Sequence, residues 1–254
     1  MTVVTGEEIL GCENVTVAFD GMTALSECSI RFPHSGIVAL MGPNGSGKTT
    51  LFNVLTGFVR AQTGCCYIGA CDITHLRPFE IARLGISRSF QELRFIRRAL
   101  VLENVLLSRP RQRGEQLLSA LLRRGVSEEK VNRGLAVDIL VALDLGEVSL
   151  MEASSLSFGQ QKLLALACCV ATDARVVLLD EPFAGVAPAT MERMVAVLQG
   201  LRNEGRLVVI IEHDLPAVRA VADEVIVMSA GKVIWQGAAG GLSENAAIID
   251  AYFS

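Results

Sequence analysis

Short unbroken apolar runs alternate along this chain with segments of helical periodicity. Residues 37–41, 176–179 and 208–211 consist only of Val, Ile, Leu, Ala and Met. They are too short for helices and show no polar alternation, so they read as strands buried on both faces. Residues 86–89 read as a further strand. Helical segments follow these runs: 48–55 after the first, and a stretch from Pro188 to about Glu204, with the proline in its first turn. Asp214 stands as an N-cap with Pro216 just inside the next helix. Residues 224–228 and 232–235 flank Ser229, Ala230 and Gly231 and predict a hairpin. Such alternation predicts an α/β fold, a mostly parallel sheet wrapped by helices. The opening differs: 15–19 and 24–32 predict antiparallel strands around Asp20 and Gly21.

Between about Leu93 and Leu150 no run reads as a strand. Ser127 predicts a helix start, with Glu128 and Glu129 in a first turn where the helix dipole favours acid. That helix should run to about Leu143, with Gly146 as its C′ residue. Val131, Leu135, Val137 or Asp138, Ile139 and Leu143 trace one face at helical spacing. Residues 95–150 therefore predict a helical subdomain set into an α/β core of 1–94 and 151–254. Residues 109–114 form a charged loop within it. No internal repeat is visible.

Composition sharpens this picture. The 254 residues are 51% apolar and 20% charged, which excludes disorder. The longest apolar helical run, 163–171, is half of what a membrane span needs. Glu7 and Glu8 stand where a secretory leader would be basic, so a cytoplasmic chain is expected. The net charge of −4 argues against nucleic acid as the main ligand. Charge is unevenly spread: residues 77–133 hold 13 basic and 6 acidic side chains, and the remainder 10 and 21. The basic middle suits lipid headgroups, an acidic partner, or a solvated helical face. Seven cysteines without a C-x-x-C pair, and three scattered histidines, give no metal-binding pattern. Cys168 and Cys169 read as core thiols.

The chemistry gathers at strand ends. Gly42, Pro43, Asn44, Gly45, Ser46, Gly47, Lys48, Thr49 and Thr50 fit the phosphate-loop pattern, in the strand-to-helix context it requires. The glycines let backbone N–H groups converge on phosphate oxygens at the positive end of a helix. Lys48 would reach the β- and γ-phosphates, and Thr49 offers a hard oxygen to Mg²⁺. The run 176–179 then delivers Asp180, able to hold Mg²⁺ through water, and Glu181, able to polarise or deprotonate an attacking water. An acidic pair after a strand could also simply open a helix. Gln91, in Ser89-Phe-Gln-Glu92, and His213, at a strand end, are each weak signals alone. Ser157 stands as the N-cap of a helix that begins Phe158, Gly159, Gln160.

In this order and at these separations, the motifs resemble the nucleotide-binding subunits of ABC transporters, from about Leu10 to the C-terminus. The resemblance implies a P-loop ATPase core with an N-terminal antiparallel β-subdomain and an inserted α-helical subdomain. It implies that Phe19 stacks on adenine and that residues 42–50 hold the triphosphate. Gln91 would sense the γ-phosphate and metal, with Thr49 and Asp180 also at the metal. Glu181 would be the catalytic glutamate and His213 the switch histidine. Ser157, Phe158, Gly159 and Gln160 match the signature segment, which in this family serves the ATP held by a second cassette, identical or paralogous. Two transmembrane permeases and a substrate-binding protein are the further partners implied, and the chain would lie on the cytoplasmic face of the membrane.

Several details are similar to importers of branched-chain amino acids. These are residues 89–94, the pairing of Phe158 with Gln160 and Gln161, Glu212-His213-Asp214, and the ending Ala251-Tyr-Phe-Ser254. Urea importers share much of this, and the ATPase of lipopolysaccharide export shares residues 181–186. Ala187 departs from the family, which usually has Asp or Asn there to link the two sites. A non-catalytic nucleotide-gated module is the alternative of a different class, and Glu181 and His213 count against it.

Overall fold

The computed structural model describes residues 8–89, 95–110 and 126–244. Gln91, the ending 251–254 and residues 111–114 of the charged loop lie outside them. Packing divides the chain into two units. The first is Met1–Arg88, Arg175–Pro182 and Leu198–Ser254, and the second is Ser89–Ala174 with Phe183–Val197. The helical unit thus takes in more chain than the 95–150 stretch.

In the first unit, β1 (Glu8–Phe19) and β2 (Met22–Pro33) form a long antiparallel pair. Their two-residue turn, Asp20 and Gly21, has positive φ at both positions, the backbone that matches strand twist. Strands β4 (Thr63–Ile68) and β5 (Cys71–Asp72) extend this sheet in the order β2-β1-β4-β5. A second sheet contains β3 (Gly36–Met41), β6 (Ile86–Arg88), β7 (Val176–Asp180), β8 (Leu207–Ile211), β9 (Glu224–Ser229) and β10 (Lys232–Ala238). Its order is β10-β9-β3-β8-β7-β6, parallel except for the terminal hairpin β9–β10. The expected three-residue turn of that hairpin is two residues, Ala230 and Gly231, again both at positive φ. Strands β3, β7 and β8 are almost wholly buried, as their unbroken apolar runs require.

Helix α1 (Lys48–Leu55) packs Leu51, Phe52, Val54 and Leu55 into the core with Val38, Leu40, Leu178 and Val209. The short α2 (Pro78–Arg83) follows. Asp214 does occupy the N-cap of the later helix Leu215–Val221, but its side chain makes no capping bond there.

The second unit is helical among its described residues: α3 (Val101–Leu107), α4 (Val126–Ala142) and α5 (Phe158–Ala171) pack on one another. Helix α6 (Pro188–Asn203) has residues 188–197 in this unit and the rest in the first. A buried amide organises the start of the unit. Asn104 accepts from the N–H of Ile96 at 2.7 Å and donates to the carbonyls of Ile96 and Leu100 at 3.1 and 3.0 Å. Arg109, at the start of the expected charged loop, donates to the carbonyl of Ala171 at the end of α5 and to Asn132 of α4, each at 3.3 Å. Cys169 is buried, and burial pushes the thiol of the partly buried Cys168 up to about 11.

Helix α4 corrects three expectations. It is already helical at Val126, so Ser127 lies inside it rather than ahead of it. Its end is set by Asp144, at φ 56°, not by Gly146. The Leu145 N–H bonds back to the Leu140 carbonyl at 2.7 Å, the closing bond of a Schellman turn. Its buried face is Asn132, Ala136, Leu140 and Leu143, while Val131, Leu135 and Val137 are exposed. A small Ala and an Asn bonded to Arg109 suit close helix contact, and the apolar count alone pointed to the wrong side.

Ahead of α6, the Ala187 carbonyl accepts from the N–H of Met191 at 3.0 Å, which makes Ala187 the N-cap residue. Its methyl cannot accept from the first-turn N–H groups, as Asp or Asn would.

Two stability predictions follow from these helices. Leu140→Ala should cost about 2–5 kcal/mol, while Val131→Ala should stay within about 0.5 kcal/mol, both read by denaturant unfolding. Ala187→Asp should stabilise the protein by about 1 kcal/mol, seen as a rise in Tm of about 2–4 °C.

Candidate functional site

Three parallel strands of the first unit end level. Leu40 pairs with Ile211, and Ile211 pairs with Asp180, so the loops after β3, β8 and β7 leave one edge of the sheet side by side. Ligands of parallel α/β sheets gather at this carboxyl edge. Strand β8 lies between β3 and β7, so His213 emerges between the glycine-rich loop and the acidic pair.

The loop from Gly42 to Gly47 turns back into α1. Gly42, Gly45 and Gly47 sit at φ 151°, 80° and 101°, backbone open only to glycine at little cost. Close approach adds a second constraint. A Cβ on Gly42 would lie 2.3 Å from the Met228 carbonyl oxygen, and one on Gly47 would lie 2.5 Å from that of Ala24. Gly47 is the N-cap of α1 and supplies no side-chain acceptor. The N–H groups of Lys48, Thr49 and Thr50 therefore end the helix as a cluster of donors with its positive dipole end behind them. The hairpin tip braces the loop: Gly231 donates its N–H to the Ser46 carbonyl at 3.0 Å, and its own carbonyl accepts from Ser26 N–H at 3.1 Å. Ser46 is buried, whereas Pro43, Asn44 and Thr49 are exposed.

Lys48 folds back over this cradle. Its Nζ donates to the carbonyls of Gly42 at 2.7 Å and Pro43 at 2.9 Å, and to Ser46 Oγ at 3.4 Å. Burial lowers its pKa, and Glu181 and Asp180 oppose that shift. For Asp180, burial raises the pKa, countered by Arg88 and Lys48. Each burial shift disfavours a charged form, and each is resisted by charge of opposite sign. A trianionic phosphate chain fits such a cradle, because it brings acceptors to the helix end and negative charge to Lys48.

Glu181 is held at φ 47°, an uncommon conformation for a residue with a side chain. Its N–H donates to the Ile211 carbonyl at 3.0 Å. His213 Nδ1 lies 3.9 Å from Glu181 Oε1. Thr49 and Asp180 could supply hard oxygens to a divalent ion. Among the described residues no cluster of three His, Cys, Asp or Glu could hold a metal ion. Phe19 ends β1 half-exposed, free to offer a ring face.

The second unit carries the remaining candidates. Ser157 Oγ accepts from Gln160 N–H at 3.4 Å, and Gln160 Oε1 accepts from Ser157 N–H at 3.0 Å, a complete capping box. Phe158 is exposed at the helix start and its ring lies 3.1 Å from where a Cβ on Gly185 would stand. Gly185 has φ 70°. Gly159 stands 3.8 Å from Thr190 by the same measure.

The sequence reading missed Arg88, which the structure places on Asp180. The only signal was a charged residue at the end of a short strand. A cavity of about 620 Å³ lies at the opposite edge of the sheet, where β3 and β9 begin. It is lined by Gly36, Ile37, Arg202 and Asp223 among others. Its charges are paired with one another: Arg202 meets Asp223 at 2.8 Å, and Asp223 accepts from Ile37 N–H at 2.9 Å.

Residues 25–184 match the family model described as ABC transporter. The chain is 37% identical to the Archaeoglobus fulgidus protein named "Probable branched-chain amino acid transport ATP-binding protein LivG", over 96% of this chain and 95% of that one. It superposes on the crystal structure of the ADP conformation of MJ1267, an ATP-binding cassette of an ABC transporter, with a TM-score of 0.81. That pair is 32% identical and covers 97% and 99% of the two chains. The dimeric structure of MJ0796, a bacterial ABC transporter cassette, has a TM-score of 0.76 at 25% identity, covering 91% and 99%. Among the described residues no helix is long and apolar enough to cross a membrane. The chain belongs to the ABC transporter family, as one of its nucleotide-binding, ATP-hydrolysing cassettes.

Proposed function

We propose that this chain is the energy-coupling ATPase of an importer of branched-chain amino acids, working in pairs on the cytoplasmic side of two permeases served by a substrate-binding protein. One observation supports this reading above all. The glycine-rich cradle, the Asp180-Glu181 pair and His213 leave the sheet at one level edge. The cargo is inferred from the name of the Archaeoglobus relative.

The phosphate chain of ATP lies against the N–H groups of the loop and of the first turn of α1. Lys48 exchanges the carbonyls of Gly42 and Pro43 for the β- and γ-phosphates. Thr49 and Asp180 would hold Mg²⁺; Gln91, the further metal contact that the resemblance implies, lies outside the described residues. Mg²⁺ held there would neutralise charge that builds on the phosphates. Glu181 orients the attacking water and accepts its proton, and His213 flanks Glu181 on the γ-phosphate side. Phe19 stacks against adenine.

The capping box occupies the N–H groups of Ser157 and Gln160. It leaves those of Phe158 and Gly159, for which a helix start provides no intrahelical acceptor. Those donors suit a γ-phosphate carried by a second cassette. A head-to-tail pair then closes around two ATP molecules. Binding favours the closed state, and hydrolysis removes that bias.

The purified protein should hydrolyse Mg-ATP, and Lys48→Ala should abolish turnover. Glu181→Gln should lower kcat about 10²–10⁴-fold, the range for loss of a general base. With ATP it should elute as a dimer. A Glu181→Gln protein that remains monomeric at saturating ATP overturns the paired model. For the cargo, deleting the gene in its own host should cut uptake of labelled leucine. Unchanged uptake of leucine, isoleucine and valine overturns that assignment.

A further inference from the structure

Arg88 ends β6, the edge strand beside β7, where it pairs with Leu178. Neighbours in parallel register share a face, and so do residues two apart on one strand. Arg88, Leu178 and Asp180 therefore point to one side of the sheet. Helix α1 covers that side, with Phe52 and Leu178 in the same core cluster. The Arg88 side chain is only 6% exposed and that of Asp180 only 2%. A buried guanidinium needs partners on several sides, and Arg88 meets four side chains. Nη1 donates to Asn53 Oδ1 at 2.8 Å and Thr56 Oγ1 at 3.1 Å, both at the end of the phosphate-loop helix. Nη2 lies 3.6 Å from Asp180 Oδ2. Cζ lies 5.6 Å from the Phe52 ring centre, within cation–π range.

One planar group thus touches both walls of the nucleotide site. On one side is the helix whose first turn faces the phosphates. On the other is the carboxylate next to Glu181. We propose that Arg88 is a positioning residue for ATP hydrolysis, tying Asn53 and Thr56 of α1 to Asp180 so that Glu181 is held in register with the phosphate cradle. The reason lies in shape as well as charge. Arg presents several donors in a fixed fork, whereas Lys offers a single flexible point charge and cannot hold three partners in one plane. Asp180 and Glu181 are consecutive, so a displaced Asp180 carries Glu181 with it. Misplacement of a reacting group by about 1 Å can cost about 10²-fold in rate. The cradle does not depend on this tie. Its glycines, the N–H groups of α1 and Lys48 have their own supports in β3 and the 230–231 turn.

This inference rests on the ATPase reading, and one set of measurements separates the two. Nucleotide affinity is measured without divalent metal by equilibrium dialysis with labelled ATP, and kcat with Mg-ATP. Wild-type protein that hydrolyses, beside an inactive Lys48→Ala control, upholds the ATPase reading by itself. Arg88→Met should then bind ATP within threefold of wild type while kcat falls at least tenfold. Arg88→Lys should recover only part of that loss. Asn53→Ala removes one leg of the tie without touching the Arg88–Asp180 pair. It should lower kcat severalfold, and less than additively when combined with Arg88→Met. It also carries the test if Arg88→Met does not fold. The proposal is overturned if either variant turns over like wild type, if Arg88→Lys is fully active, or if affinity falls in parallel with kcat.

Discussion

Leu40, Ile211 and Asp180 stand level across three neighbouring parallel strands, and the chemistry of the molecule depends on that register. A slip of one residue in any strand would turn its side chains to the opposite face and shift the loop it feeds by about 3.3 Å. The register is secure because β3, β7 and β8 are buried on both faces, so a slip would break apolar packing above and below the sheet. Met41 and Asp180 are each followed by a residue at positive φ, Gly42 and Glu181, and Ile211 by the buried Glu212, whose N–H donates to the Leu40 carbonyl at 3.4 Å. Core packing and site geometry are thus one constraint seen from two ends of the same strands.

The charges at this edge follow from that burial. Lys48 and Asp180 are each pushed toward neutrality by desolvation and held back by groups of opposite sign. Neither would be tolerated alone at its depth. Lys48 reduces its cost by bonding two carbonyls of the loop it belongs to. Asp180 does so through Arg88, which is in turn satisfied by α1. A phosphate ligand enters a site whose donors are already aimed and partly desolvated, the condition under which electrostatic stabilisation is strongest.

The parts of this arrangement that depend on local chain chemistry were legible in the sequence. The runs 37–41, 176–179 and 208–211 lie within strands β3, β7 and β8, and 48–55 is the helix observed. Glycine spacing marked the loop, and Ser157 marked the cap. What escaped depends on distant partners. The buried face of α4 was misassigned because Asn132 and Ala136 are chosen by Arg109 and by close helix contact, which a count of apolar residues does not register. Asp144 ends that helix although a glycine follows two residues later, because Asp tolerates the left-handed conformation at modest cost. Arg88 carries no local motif at all. Its role arises only when β6 is laid beside β7 and α1 is laid on both.

The same dependence on distant partners accounts for a departure from the family pattern. Phe158 stands in a signature position that most ABC proteins fill with glycine, and its ring rests where any side chain on Gly185 would project. Gly185 must also lie at φ 70°, so the bulk at 158 and the bare backbone at 185 are one accommodation. Ala187, two residues on, leaves α6 without a side-chain cap. All three belong to the second unit, and the chain enters that unit between Pro182 and Phe183. Glu181 is therefore two residues from the boundary, at φ 47°. That conformation costs about 1–3 kcal/mol, and it is held by the neighbouring strand: the Glu181 N–H is fixed to the Ile211 carbonyl at 3.0 Å, so the backbone of the acidic pair is set by β8 rather than by its own local preference.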